Sequence, residues 1–133
     1  MKCLSVKQPW AWCLFHGKPV ENRTWTTKYR GPLLIHASKT WDREGDLWIR
    51  ETFPGLLPMF LAPKERVLGV ILGRVDLVDV VTEMDSPWFF GTFGFVLENP
   101  VEFRTPIPWT GALGLFDVPD HVMPGWKHGS AST

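Results

Sequence analysis

The chain has no surplus of charge of either sign: 14 Lys and Arg stand against 14 Asp and Glu. A protein that tracks a long phosphate backbone ordinarily carries a basic excess, because counterion release drives that association. Tight, sequence-independent binding of duplex DNA is therefore disfavoured, whereas reading one base or a short single strand is not. Cysteine is scarce. Cys3 and Cys13 make no disulfide framework and have no partners at zinc spacing. His16, His36, His121 and His128 are scattered and form no ligand pair, so neither a metal nor another cofactor is expected. No apolar run is long enough to cross a bilayer, and Met1-Lys2-Cys3-Leu4 lacks the apolar stretch of a signal peptide. No membrane partner is expected, and a reducing cytoplasm is the expected setting. A Ser–His–Asp order, a Gly-rich phosphate loop and internal repeats are also missing.

What is present is apolar and aromatic. With 133 residues, 44% of them hydrophobic, the chain suits one domain with a real core. Eight tryptophans either fill that core or line a pocket, and composition alone does not separate the two. Cys3 to Val6 reads as an opening strand, and Gln8-Pro9-Trp10 as a helix start that Gly17 ends. Val20 to Trp25 and Leu33 to Ala37 read as strands around a turn at Tyr29 to Pro32. Ser38 or Thr40 is the expected cap of a second helix ending near Phe53. Gly55 to Lys64 reads as a surface loop. Val67 to Val81 is the longest strand signal, with Val67, Gly69, Ile71, Gly73, Val75 and Leu77 on one face. Gly69 and Gly73 inside it predict a bend or the close approach of another backbone. Phe93 to Leu97 and Val101 to Arg104 read as two strands divided by Asn99-Pro100, and Gly114 to Val118 as the last. Short strands punctuated by Gly and Pro favour a barrel or a compact α+β fold over a parallel sheet.

The most informative stretch is Gly17-Lys18-Pro19-Val20-Glu21-Asn22-Arg23-Thr24-Trp25. On a strand, Glu21 and Arg23 share a face, while Lys18 needs a local irregularity to join them. One reading is a solvated strand edge with a weak local ion pair. The other is a cleft in which Glu21 accepts a base amino or imino proton while Lys18 and Arg23 meet carbonyl or phosphate oxygens. His36, in an apolar strand, fits a satisfied buried histidine better than a ligand.

Lys18, Glu21 and Arg23 match the Lys-x-x-Glu-x-Arg part of the signature of the ASCH (activating-signal-cointegrator homology) family. Leu4 to Ala11, Ile35-His36-Ala37-Ser38, Gly69 to Asp79, Ser86-Pro87-Trp88-Phe89 and Gly111 to Val118 also resemble family segments, in order and up to about Pro119. The resemblance implies an α+β, PUA-like fold, a small mixed or antiparallel β-barrel with two main helices, over residues 1–119, followed by a tail over 120–133. It differs in one place: His16 stands where the family usually has glycine. Members are regarded as RNA-binding modules, which implies RNA, single-stranded nucleic acid or a nucleoside as partner. Related PUA-like readers hold a modified base between tryptophans, which makes Trp10, Trp25 and Trp88 stacking candidates, with Trp88 the strongest. Ser5, Gln8 and Ser38 lie beside signature elements and are candidates for base-edge hydrogen bonds, although capping and turn roles compete. Trp12, Trp41, Trp48 and Trp109 are assigned to packing or surface.

One small bacterial branch hydrolyses N4-acetylcytidine with a lysine at the place of Lys18, a hydroxyl three places on and a later carboxylate. Here Glu21 replaces the hydroxyl, and Asp76 is the candidate carboxylate. That resemblance implies Lys18, Glu21 and Asp76 as the catalytic set of a metal-free amidohydrolase. Three functions thus stand: an RNA- or modified-nucleobase-binding module, that hydrolase, and a protein-interaction adaptor presenting Trp88, Phe89, Phe90 and Phe93.

Overall fold

The computed structural model describes residues 1–58 and 67–124. Its elements run β1 (Lys2–Gln8), α1 (Trp10–Cys13), β2 (Val20–Arg23), β3 (Gly31–Trp41), α2 (Arg43–Thr52), β4 (Val70–Val81), β5 (Phe93–Pro108) and β6 (Leu115–Asp117), followed by a 3-10 turn over Asp120–Val122. The strands form one six-stranded sheet in the order β2-β5-β4-β3-β1-β6. Only β1 and β3 run parallel; the remaining pairs are antiparallel. The α+β class is as expected, but the sheet does not close. Strands β2 and β6 each have one sheet neighbour among the described residues, so the barrel expectation is corrected to an open mixed sheet.

Apolar residues cover both faces of this sheet. Leu4, Val6, Leu33, Ile35, Leu72, Val75, Leu77 and Phe95 form the main cluster. Cys3, Leu34, Ile71 and Val118 form another. Ile71 lies in the second cluster, whereas Leu72, Val75 and Leu77 lie in the first, which corrects the single-face reading of the long strand. The register shifts between Ile71 and Gly73, and such a bulge moves the following side chains to the other face. The same bulged region explains Gly73: an added Cβ would lie 2.2 Å from the Val101 carbonyl oxygen. The close approach expected there is present.

Further boundaries differ: β2 ends at Arg23 rather than Trp25, and β4 starts at Val70 rather than Val67. The two strands expected around Asn99-Pro100 are one strand, β5, which absorbs the break with Asn99 at φ 53°. Strand β3 continues past Ala37 to Trp41, which pairs with Gln8. Ser38 and Thr40 therefore lie within a strand, and Asp42 caps α2 instead, accepting from Gly45 N at 2.9 Å. The helix ends at Phe53, as expected. The loop expected over 55–64 and the tail over 120–133 fall partly outside the described residues; of the tail, Asp120–Val122 forms a turn whose Asp120 carboxylate meets the Met1 amino group at 2.8 Å.

Candidate functional site

The end of α1 decides where Lys18 points. After Cys13 the chain makes one more turn, Gly17 takes φ +106°, and Lys18 N bonds back to Cys13 O at 3.0 Å. That six-to-one bond with a left-handed glycine is the Schellman stop. It supplies the irregularity that Lys18 needed, and the side chain turns inward with 1% exposure. Its Nζ donates to Val20 O at 2.5 Å and to Glu21 Oε1 at 2.8 Å, and it lies 5.5 Å from the Trp10 ring centroid. Glu21 Oε2 accepts from Arg23 Nη2 at 3.0 Å, and the same nitrogen donates to Ser5 O at 2.9 Å. Glu21 is 9% exposed and Arg23 22%. The solvated-edge reading is thereby set aside. One carboxylate lies between two cations, and the three groups grade from core to solvent. Among the described residues Arg23 is engaged through Nη2, while Nε is buried without a partner and Nη1 makes no hydrogen bond.

These groups border a cleft of about 1150 Å³. Trp10 and Trp25 line it with the triad. Trp10 is fixed by Nε1 donating to Asp42 Oδ2 at 2.8 Å, and Trp25 stands edge-on to Phe95 at 5.2 Å. The Trp10 bond, followed by that from Gly45 N, holds the Asp42 carboxyl below its usual range. Ser5, His36 and the segment from Trp109 to Gly114 continue the lining beside Arg23. Register places Ser5 beside His36 on the parallel pair β1 and β3. Ser5 Oγ is 2.9 Å from His36 Nδ1, and His36 Nε2 is 2.7 Å from Trp109 O. His36 is thus a satisfied buried histidine, and burial pushes its pKa down. Four cations line the cleft (Lys7, Lys18, Arg23 and Lys39) against two carboxylates, Glu21 and Asp42. A chain of zero net charge therefore concentrates positive charge here.

Of the sequence candidates, Ser5, Trp10, Lys18, Glu21, Arg23, Trp25 and Ser38 meet at this cleft. Gln8, Trp88 and Asp76 do not. Gln8 is buried and structural: its side chain accepts from Trp12 N at 2.9 Å and donates to Val67 O at 3.0 Å. Trp88 stacks on Phe53 at 4.3 Å and packs against Trp10 and Trp48, behind the wall it was expected to form. Asp76 accepts from Asn99 Nδ2 at 2.9 Å on an exposed part of the sheet. Sequence reasoning missed Asn22, Asp42, Phe90 and Trp109. Asn22 had a signal, since it sits inside the signature stretch. It ties the 86–90 loop to β2, donating to Trp88 O at 2.9 Å and accepting from Phe90 N at 3.1 Å. Trp109 had none, because its place depends on a carbonyl reaching His36 across 73 positions. Among the described residues no three His, Cys, Asp or Glu side chains gather as a metal-holding group. Burial pushes both thiols, Cys3 and Cys13, up to about 12, so neither serves as a nucleophile near neutral pH.

The family model of the ASCH domain matches residues 4–118, which is nearly the whole described chain. The chain belongs to the ASCH domain family. Activating signal cointegrator 1 of Homo sapiens is 32% identical over 143 residues, and that of Mus musculus 30% identical over 138. Each alignment covers 96% of this chain but 24% of the relative, so this ASCH domain spans about a quarter of the length of those proteins. Among the described residues no helix of this ASCH domain is long and apolar enough to cross a membrane.

Proposed function

We propose that this domain binds RNA through one unpaired base, or binds a modified nucleoside, in the cleft lined by Lys18, Glu21, Arg23, Trp10 and Trp25. The observation that carries this is the part-buried triad of net positive charge set beside two indoles. The triad offers Arg23 Nη1 to a carbonyl or phosphate oxygen, and the indoles offer faces on which any base can stack. The cleft is large enough for a nucleotide. Exposed Lys7 and Lys39 at its border suit the phosphates of a short strand.

The geometry supports binding over hydrolysis. Asp76 lies outside the cleft, both Glu21 oxygens already hold cations, and Lys18 Nζ is tied to two acceptors. Among the described residues that line the cleft, the carboxylates are Glu21 and the capping Asp42, and neither is free to activate water there. The adaptor reading loses Trp88, which is buried. The name of the relatives, activating signal cointegrator, fits a regulatory setting for such a binding domain.

Titration with nucleosides and short single-stranded RNAs, followed by tryptophan fluorescence and NMR shifts, tests the proposal. Saturable binding is expected. Trp25→Ala weakens it about fivefold or more, the loss of one stacking contact of about 1–3 kcal/mol. No response to any nucleoside or RNA overturns the reading.

A further inference from the structure

The hydroxyl of Ser5 has its polarity fixed before any ligand arrives. Trp109 O can only accept, so at 2.7 Å from it His36 Nε2 must carry the ring proton. Burial keeps the ring neutral near pH 7, which leaves Nδ1 a lone pair and no proton. Ser5 Oγ, 2.9 Å from Nδ1, therefore donates its one proton to the histidine. Only acceptor lone pairs remain for the cleft that Ser5 lines. Gly111 closes over this pair: an added Cβ would lie 2.8 Å from the His36 ring and 2.9 Å from Ser5 Oγ. Arg23, bonded to the Ser5 carbonyl, offers the opposite polarity, because Nη1 has donors and nothing else. An acceptor and a cationic donor thus stand on neighbouring residues of one wall.

Resting on the base-binding reading above, we propose that Ser5 Oγ accepts an N–H from the edge of the bound base while Arg23 Nη1 donates to the acceptor beside that N–H. His36 is the positioning residue that makes Ser5 an acceptor. The cleft then takes bases whose edge keeps an N–H next to a carbonyl oxygen or ring nitrogen, and rejects bases whose edge is fully N-alkylated. Ser5 becomes a specificity determinant, since an alkylated edge leaves its lone pairs facing a methyl group.

The test compares cytidine, N4-methylcytidine and N4,N4-dimethylcytidine on the full chain and on Ser5→Ala. The monomethyl compound adds bulk but keeps one N–H; the dimethyl compound has none. The intact protein is expected to bind the monomethyl compound about tenfold or more tighter than the dimethyl one, and Ser5→Ala to bring that ratio close to one. Long-range nitrogen–proton NMR should show His36 with its proton on Nε2. Equal affinity for the two methylated compounds overturns the proposal, as does a ratio that survives in Ser5→Ala or a proton on Nδ1. Binding without discrimination removes the Ser5 role alone. Absence of binding by nucleosides and RNA alike removes the base-binding reading with it.

Discussion

Glu21 is the residue on which the triad depends, because each of its oxygens holds a different cation. Glu21→Gln keeps the shape but leaves Lys18, 1% exposed, facing Arg23 without a counter-charge. Removing one partner from a buried pair costs about 3–5 kcal/mol. Lys18→Met is milder, since Glu21 keeps Arg23 and the methionine fills much of the same space. In urea unfolding, Glu21→Gln should therefore have the lower midpoint of the two; the reverse order contradicts the bridging role. His36 sets a pH dependence of known sign. Burial holds its pKa below 6.5 in the fold, outweighing the Trp109 carbonyl, which favours the proton. The groups facing it in the structure are Ser5, the Trp109 carbonyl, Gly111 and the Phe116 ring, none of them charged. The unfolded chain takes up the proton first. This contribution is complete above about pH 6.5 and is lost as pH falls below it. Urea midpoints at pH 7.5 and 5.5 should show a smaller drop for His36→Gln than for the natural chain, and an equal drop would assign the slope to other groups.

Helix α2 and its cap hold the indole wall. The Asp42 carboxylate closes the first turn through Gly45 N and fixes Trp10 through its Nε1. Asp42→Ala should cost about 1–2 kcal/mol as a lost cap and also release Trp10 toward the cleft, visible as a changed fluorescence spectrum. Gly45 makes the same point with the opposite expectation from propensity. Alanine normally improves a helix interior by about 1 kcal/mol over glycine. Here the added Cβ would sit 2.6 Å from the Trp10 ring, so Gly45→Ala should destabilise by about 1–3 kcal/mol in urea unfolding. These elements were only partly legible in the sequence. Period and punctuation placed β1, α1, β2 and the end of α2, because Gly17 and the apolar runs are local signals. They did not place the cap at Asp42. Ser38 and Thr40 are equally good caps in isolation, and only the pairing of Trp41 with Gln8 shows that β3 is still running there. Nor could alternation find the bulge between Ile71 and Gly73, since a bulge is a relation between two strands.

At the scale of the molecule, the charge that the composition averages to nothing is unevenly spread. Whether β2 meets β6, and so whether a barrel forms, depends on the summed twist and bulges of six strands, which no segment encodes by itself. The convergence of Lys18, Glu21 and Arg23 was legible because it lies within six consecutive residues. The group beside Arg23 was not, because Ser5, His36 and Trp109 are joined only by the fold. The resulting cleft holds four cations and two carboxylates, and two of those cations, Lys18 and Arg23, are already paired with Glu21. Among the described lining residues, Lys7 and Lys39 are the exposed cations left for phosphates once Arg23 meets the base. Counterion release from a single strand contributes a slope of about −0.7 per phosphate neutralised, so two contacts give about −1.4 in a plot of log affinity against log salt. Replacing Lys7 and Lys39 together with alanine should bring the slope for a short RNA toward zero while leaving nucleoside affinity almost unchanged. A much steeper slope in the natural chain would mean that phosphate tracking, rather than a base held between indoles, dominates the affinity. Fluorescence titrations of a short single-stranded RNA over a range of salt concentrations separate the two.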